Sequence, residues 1–305
     1  RMGQWEDKVR CAETRRRVDY FSNTFSLLRR SSDKNLGLNE SVLQAIDWFF
    51  ENEESGLILE DDVFPSREMF SFIAEGLSRF EADSRVSQVS GTMHAEGAPL
   101  EHPSAYLSAF HHIWGFGTWR RSWLGFREFV KGRRRLTTED LRQALPGYRT
   151  SFYKHWVRRT SASGNVEPVW DSLWNAFNFL RGSKSLTPST PLSRNIGFDA
   201  MATHSRRVPL IGGLAPRPSP GRDADISVLQ PDEVARKLDE YVSKTVWATE
   251  PLVIRVFLGA AEAGRRALRG LSRRSELVSL GFSGRAYRTV AQHVFLNRVF
   301  RGSLS

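Results

Sequence analysis

The chain has 305 residues, 40% hydrophobic and 26% charged, with a formal net charge of +10 and a single cysteine, Cys11. That length suits one large domain, or one with a small appendage, and the composition excludes both a disordered polyampholyte and a disulfide-stapled miniprotein. One thiol closes no intrachain disulfide and builds no four-thiolate zinc site, which fits a reducing cytosol.

No run reaches the ~18 consecutive apolar residues of a membrane-spanning helix, and the opening Arg1-Met2-Gly3-Gln4-Trp5-Glu6-Asp7-Lys8 lacks the apolar core of a secretory signal. Residue 1 is not an initiator methionine, so a fragment of a longer polypeptide is expected. The charge is uneven. From residue 251 on there are ten arginines against Glu262 and Glu276, so most of the excess sits in the tail and the body is nearly neutral.

In chain order, residues 4 to 18 have a polar helical cast, and Thr24 to Leu28 reads as a short strand before the Ser31-Ser32-Asp33 turn. Asn39 can cap a helix whose apolar positions are Val42, Leu43, Ile46, Phe49 and Phe50. Gly56 then releases the chain into Leu57-Ile58-Leu59, a short apolar run that predicts a central strand buried on both faces in a parallel sheet. Pro65 and Ser66 open the next helix, with Met69, Phe70, Ile73, Leu77 and Phe80 as its inner face, and Val86 to Ser90 is a further strand. This alternation predicts a doubly wound α/β sheet, with ligands at the carboxyl ends of the strands.

At the end of that strand stand Glu60-Asp61-Asp62. Three adjacent acids repel one another unless a cation sits among them, and oxygen ligands suit Mg²⁺ or Mn²⁺ shared with substrate phosphates. A solvated acidic turn is the plain alternative.

Asn35-Leu36-Gly37-Leu38, the helix after it, Gly56-Leu57-Ile58-Leu59-Glu60-Asp61-Asp62 and Pro65 resemble the nucleotide-sugar half of a GT-A glycosyltransferase. The likeness is to the bacterial hemolytic-protein-like nucleotide-diphospho-sugar transferases, which are glycosyltransferase family 2-like, and in part to the N-acetylglucosaminyltransferase I type. Three later blocks follow in the family's order: His112 to Trp123, Trp170-Asp171-Ser172-Leu173-Trp174, and Asn195 to Asp199 with Thr203-His204.

The resemblance implies a Rossmann-like mixed sheet with helices on both faces, its first strand missing from this chain, and a C-terminal helical appendage. It implies a metal-dependent enzyme moving a sugar from a nucleoside-diphosphate donor to a saccharide or lipid-linked acceptor hydroxyl in glycan or glycolipid biosynthesis. Asp62 and His204 would hold Mn²⁺ or Mg²⁺. Asn35, Gly37, Glu60, Asp61, Trp114, Gly115 and Gly117 would line the nucleotide-sugar, and Asp171 would be the general base of an inverting transfer. Desolvation by Trp170 and Trp174 would aid Asp171, which reads equally well as a helix N-cap. Trp119 and Trp123, four apart, read as the core face of a helix, and Arg120 and Arg121 as a solvated pair or a phosphate contact.

The expected organisation is a transferase domain over 1–208, a Pro/Gly-rich connector over 209–230 and a basic helical region over 231–305, with Asp232 capping a helix through Tyr241. The arginines of 251–305 suit peripheral contact with an anionic membrane at its cytoplasmic face, or a solvated helical appendage; nucleic acid is not expected. Where relatives carry a basic residue after Asn-Leu-Gly, this chain has Leu38, Asn39 and Glu40. That departure and the missing strand predict weak nucleotide-sugar binding. They also favour the alternative of a noncatalytic relative, a binding or scaffold protein whose Arg-rich tail docks on membrane or nucleic acid.

Overall fold

A computed structural model of the chain describes residues 4–22, 27–94, 105–132, 135–162, 167–197, 226 and 229–245. These residues form eight helices and seven strands, a mixed α/β architecture. The chain divides into two compact units, residues 1–45 and 46–305.

In the first unit α1 (Gln4–Ser22) carries an exposed Arg17–Glu13 pair at 2.8 Å and no apolar stripe. Such a helix stands on solvation and i,i+4 pairs, not on burial. Leu27 and Leu28, expected in a strand, are irregular and exposed. The Asn35 Oδ1 accepts from the Gly37 backbone N–H at 2.8 Å, and Gly37 takes φ +79°, a turn that glycine adopts without strain. Helix α2 (Leu38–Asn52) begins directly after it and runs on into the second unit, so Asn39 sits in the first turn instead of capping it.

The second unit is built on a five-stranded sheet. Its strands are β1 (Ser55–Ile58), β3 (Val86–Ser90), β4 (Ala105–Ser108), β5 (Phe116–Trp119) and β6 (Lys184–Pro188), in the order β1-β5-β3-β6-β4. β3 and β6 are parallel, while β5 runs antiparallel to β1 and β3, and β4 antiparallel to β6. Two expectations are corrected. The sheet is mixed, as the resemblance implied, but the Leu57-Ile58-Leu59 strand pairs antiparallel with β5 instead of lying in a parallel setting, and β1 is an edge strand of half-buried residues instead of a central one. A two-stranded ribbon of β2 (Val63–Pro65) and β7 (Ser193–Asn195) stands beside it.

Helices cover both faces. On one lies α3 (Arg67–Arg79), capped by Ser66, whose hydroxyl accepts from the Met69 N–H at 3.3 Å. Its buried stripe is Met69, Phe72, Ile73 and Gly76, whereas Phe70 is exposed. Gly76 sets the helix phase: a β-carbon there would come within 3.0 Å of Val89 and Leu186, so helix and sheet meet backbone-close. Gly117 serves the same contact from β5, since a β-carbon would come 2.5 Å from the Ile73 Cγ2. Gly117→Ala is therefore expected to cost about 1–3 kcal/mol by overpacking. Urea denaturation checks this; an unchanged midpoint would contradict it.

On the other face lie α4 (Arg120–Lys131) and α7 (Trp170–Arg181), where Trp123, Phe126, Trp174 and Phe177 interlock, the ring centres of Trp123 and Trp174 lying 6.0 Å apart. Trp174 also donates its indole N–H to the Gln88 Oε1 at 2.7 Å, which fixes a buried polar side chain in the middle of the sheet. Trp119 and Trp123 are buried as expected, but Trp119 ends β5 and only Trp123 belongs to the helix.

Beyond α5 (Thr138–Ala144) and α6 (Thr150–Arg159), α8 (Asp232–Thr245) packs Ala235, Leu238, Tyr241 and Val242 against Tyr106, Phe110, Phe152 and Trp156. Buried Asp239 pins it, accepting from the Ser108 hydroxyl and, at 2.7 Å, from the Ala109 N–H. Thus α8 is part of the main core, and it runs one turn beyond Tyr241. Residues 251–305 and most of the 209–230 connector lie outside the described residues. Among the described residues no helix is long and apolar enough to cross a membrane.

Candidate functional site

The carboxyl ends of β1, β3 and β6 and the start of β5 share one end of the sheet. Backbone hydrogen bonds gather the loops there. The Gly91 N–H, just past β3, donates to the Gly115 carbonyl at 2.7 Å, and the Gly91 carbonyl accepts from the Leu192 N–H at 3.0 Å. Gly115 has φ +75°, and a β-carbon on it would meet Leu59 Cδ2 and Met69 Sδ at 3.1 Å. Only glycine lets the Trp114-Gly115 turn lie this close to the residue before Glu60. The Ser193 hydroxyl donates to the Trp114 carbonyl at 2.6 Å and ties the same turn to β7.

The acids occupy the rim of this assembly. The Val63 N–H donates to the Glu60 carbonyl at 3.1 Å, so Glu60-Asp61-Asp62 forms a turn between β1 and β2. Asp62 is continuous with the ribbon, its carbonyl accepting from the Ile196 N–H at 2.7 Å. The Asp62 carboxylate lies against Gly197, where a β-carbon would overlap its Oδ2, and its Oδ1 is buried with no hydrogen-bond partner.

Asp171 comes from a distant segment. It stands in the first turn of α7, not at the cap, which is Val169 with no side-chain bond. The indoles of Trp170 and Trp174 turn inward onto Phe116, while the Asp171 side chain keeps 23% of its surface exposed. Its Oδ1 accepts from the Ser172 hydroxyl at 3.0 Å, that hydroxyl accepts from the Arg159 Nε at 3.0 Å, and the Arg159 Nη2 stands 3.7 Å from Oδ2. The carboxylate is thereby oriented by a hydroxyl and a guanidinium.

Glu60 is held in an unfavourable place for a charge. Burial first, then the charges of Asp62, Asp171 and Asp61, push its carboxyl from the ordinary 4.5 up to about 7. Two segments far apart in sequence therefore place their carboxylates in one field, the arrangement that functional sites share.

Against Trp114 is a histidine group of which the sequence motif blocks included only His112. His94 follows β3, with its ring centre 4.7 Å from that of Trp114 and 4.4 Å from that of His112, both edge-on. Burial pushes His94 down to about 4 and His112 well below its ordinary range, so both rings are neutral at pH 7. The His112 Nε2 is buried without a partner. His111 is held structurally, by the Ser87 hydroxyl at 2.8 Å and through Asn175. Arg120 and Arg121 lie at the opposite end of β5. Arg120 pairs with Glu54, and Arg121 binds the carbonyls of Phe80, Asp83 and Val86, so both are structural.

Of the expected site residues, Glu60, Asp61, Asp62, Asp171, Trp114 and Gly115 fall in this region. Gly117 lies beneath α3 and packs instead of facing the site. Asn35 and Gly37 belong to the first unit, and His204 lies outside the described residues.

Among the described residues no three His, Cys, Asp or Glu side chains are grouped as a metal cage. Mg²⁺ and Mn²⁺ do not require one, because they keep several waters and bind through one or two carboxylates plus substrate phosphate. Asp62 has a buried Oδ1 without a hydrogen-bond partner, the carboxylate oxygen that such an ion would use. No protein-family model matches the chain, and no curated protein matches it.

Proposed function

We propose that the chain is a glycosyltransferase of GT-A type, metal-dependent and inverting, which moves a sugar from a nucleoside-diphosphate donor to an acceptor hydroxyl. The observation that carries this reading is an acidic field at the carboxyl end of β1, where burial and then the charges of Asp62, Asp171 and Asp61 act on Glu60. It is supported by an Asp62 oxygen left without a partner and by the ordered motif blocks of the sequence.

Asp62, with Glu60 and Asp61 beside it, would hold the divalent ion. That ion would supply positive charge to neutralise the departing diphosphate. Asp171, held by Ser172 and Arg159, takes the proton of the acceptor hydroxyl. The acceptor oxygen then bonds to the anomeric carbon, and the electron pair of the broken C–O bond leaves with the diphosphate. The half-buried Trp114 offers an aromatic face to sugar C–H groups, and Gly115 keeps the turn close to the acid loop.

Asp171→Asn keeps size and hydrogen bonding but removes the base. With Mn²⁺ and a panel of nucleotide-sugars, it is expected to lower kcat by about 10²-fold or more while donor affinity stays unchanged. A variant as fast as the parent would remove Asp171 from the chemistry. Absence of turnover by the parent with every donor would favour the noncatalytic alternative.

A further inference from the structure

We propose that the cleft between α5 and α6 is a binding site for a phosphomonoester, with Lys154, Arg158 and Arg135 as the cations that hold its phosphate. The site shares no residue with the acid loop and stands whether or not the chain transfers sugar.

The cleft has a volume of about 330 Å³. Arg135 and Thr138 line it from the start of α5, and Lys154, Val157, Arg158 and Ser161 from α6 and its end. These last four recur at i, i+3, i+4 and i+7 and so share one face of the helix, while Phe152, Tyr153 and Trp156 take its buried face.

No carboxylate lines the cleft. The two acids of α5 are engaged on their own helix: Glu139 accepts from Arg142 and Gln143, and Asp140 closes the capping box by accepting from the Thr137 N–H and hydroxyl, both at 2.8 Å. Among the described residues neither Lys154 nor Arg158 has a carboxylate partner. Like charges at i and i+4 on a helix repel, and Arg135 brings a third positive charge to the same cleft from another segment. An anion bound among them relieves that repulsion.

The number of cations selects the anion. A carboxylate has one charge and two oxygens, which one guanidinium fork satisfies. A phosphomonoester carries about 1.5–2 negative charges near pH 7 and three acceptor oxygens, enough to engage an ammonium and two guanidinium groups together. Thr138 adds a hydroxyl, and Val157 a patch of apolar wall for the carbon part of the ester. A soluble phosphate ester and the headgroup of phosphatidic acid share this chemistry.

Titration calorimetry of the full chain with glycerol 3-phosphate, and co-sedimentation with phosphatidylcholine vesicles carrying phosphatidic acid, test the proposal and separate the two sources. Binding of either probe is expected, weakened about tenfold in Lys154→Gln and in Arg158→Gln, less in Arg158→Lys, and unchanged in Lys8→Gln, which removes an exposed cation of α1. Because the changed side chains are exposed, urea midpoints should stay at or slightly above the parent value. Four results would overturn the proposal: no binding of either probe by the parent; an equal loss in Lys8→Gln; acetate, or phosphatidylglycerol in the vesicles, binding as well as the phosphomonoester; or a DNA oligonucleotide binding more tightly and losing affinity in the same variants, which would reassign the cleft to nucleic acid.

Discussion

On the proposed sugar-transfer reading, Gly197→Ala is expected to lower transfer by about 10³-fold, beyond an overpacking cost of about 1–3 kcal/mol in stability. The residue is half-buried, and its backbone is not in the left-handed region that restricts side chains, so alanine meets no conformational barrier there. The whole effect is steric and local. A methyl group would overlap the Asp62 Oδ2 and come 2.9 Å from its Cβ and Cγ, so the carboxylate must turn away. The expected signature is Mn²⁺ affinity and kcat falling together, and by more than the modest drop in the urea midpoint accounts for. A variant that retains both, at parental stability, would mean that the orientation of Asp62 does not matter to transfer.

Glu60→Gln should stabilise the protein above pH 7 and impair it as an enzyme. The folded-state carboxyl is raised to about 7 from 4.5, so the native chain holds more protons than the unfolded chain between those values. Stability carried by this group is therefore complete below pH 4.5 and lost as pH rises through about 7. Glutamine removes the charge and the loss. For a half-buried group in a solvent-screened site, the gain above pH 7 is about 2 kcal/mol, or a Tm rise of about 4–8 °C, vanishing below pH 4.5. Thermal scans of both chains at pH 4, 6 and 8 check it; a gain independent of pH would assign the effect to packing. Saturating Mn²⁺ should narrow the difference, because a cation among the acids relieves the same repulsion.

What was legible in the sequence was local. A helix opened by Pro65 and Ser66, Val86–Ser90 as a strand and the acids that follow β1 rest on contiguous patterns; the structure has all three, with Ser66 as the helix cap. The place of β1 in the sheet was not, because its neighbour β5 is the four-residue Phe116-Gly117-Thr118-Trp119, too short and too glycine-marked to signal a strand. The inner face of α3 was misread by one position, Phe70 for Phe72. An apolar count gives no weight to Gly76, yet that glycine determines which side of the helix can approach the sheet.

For the site, the motif blocks named Asp62 and Asp171, but not the way Ser172 and Arg159 hold the latter. His94 acquires meaning only through Trp114, to which no local pattern connects it.

The central claim is that Asp62 holds a divalent ion at the end of β1. Anomalous scattering at the manganese edge, from crystals grown with Mn²⁺ and a nucleoside diphosphate, tests it directly. The account predicts a single strong peak within about 2.3 Å of an Asp62 carboxylate oxygen, bridged to phosphate and absent in Asp62→Asn. Clear density for the Asp62 side chain with no peak beside it, or a peak that persists in the variant, would contradict it.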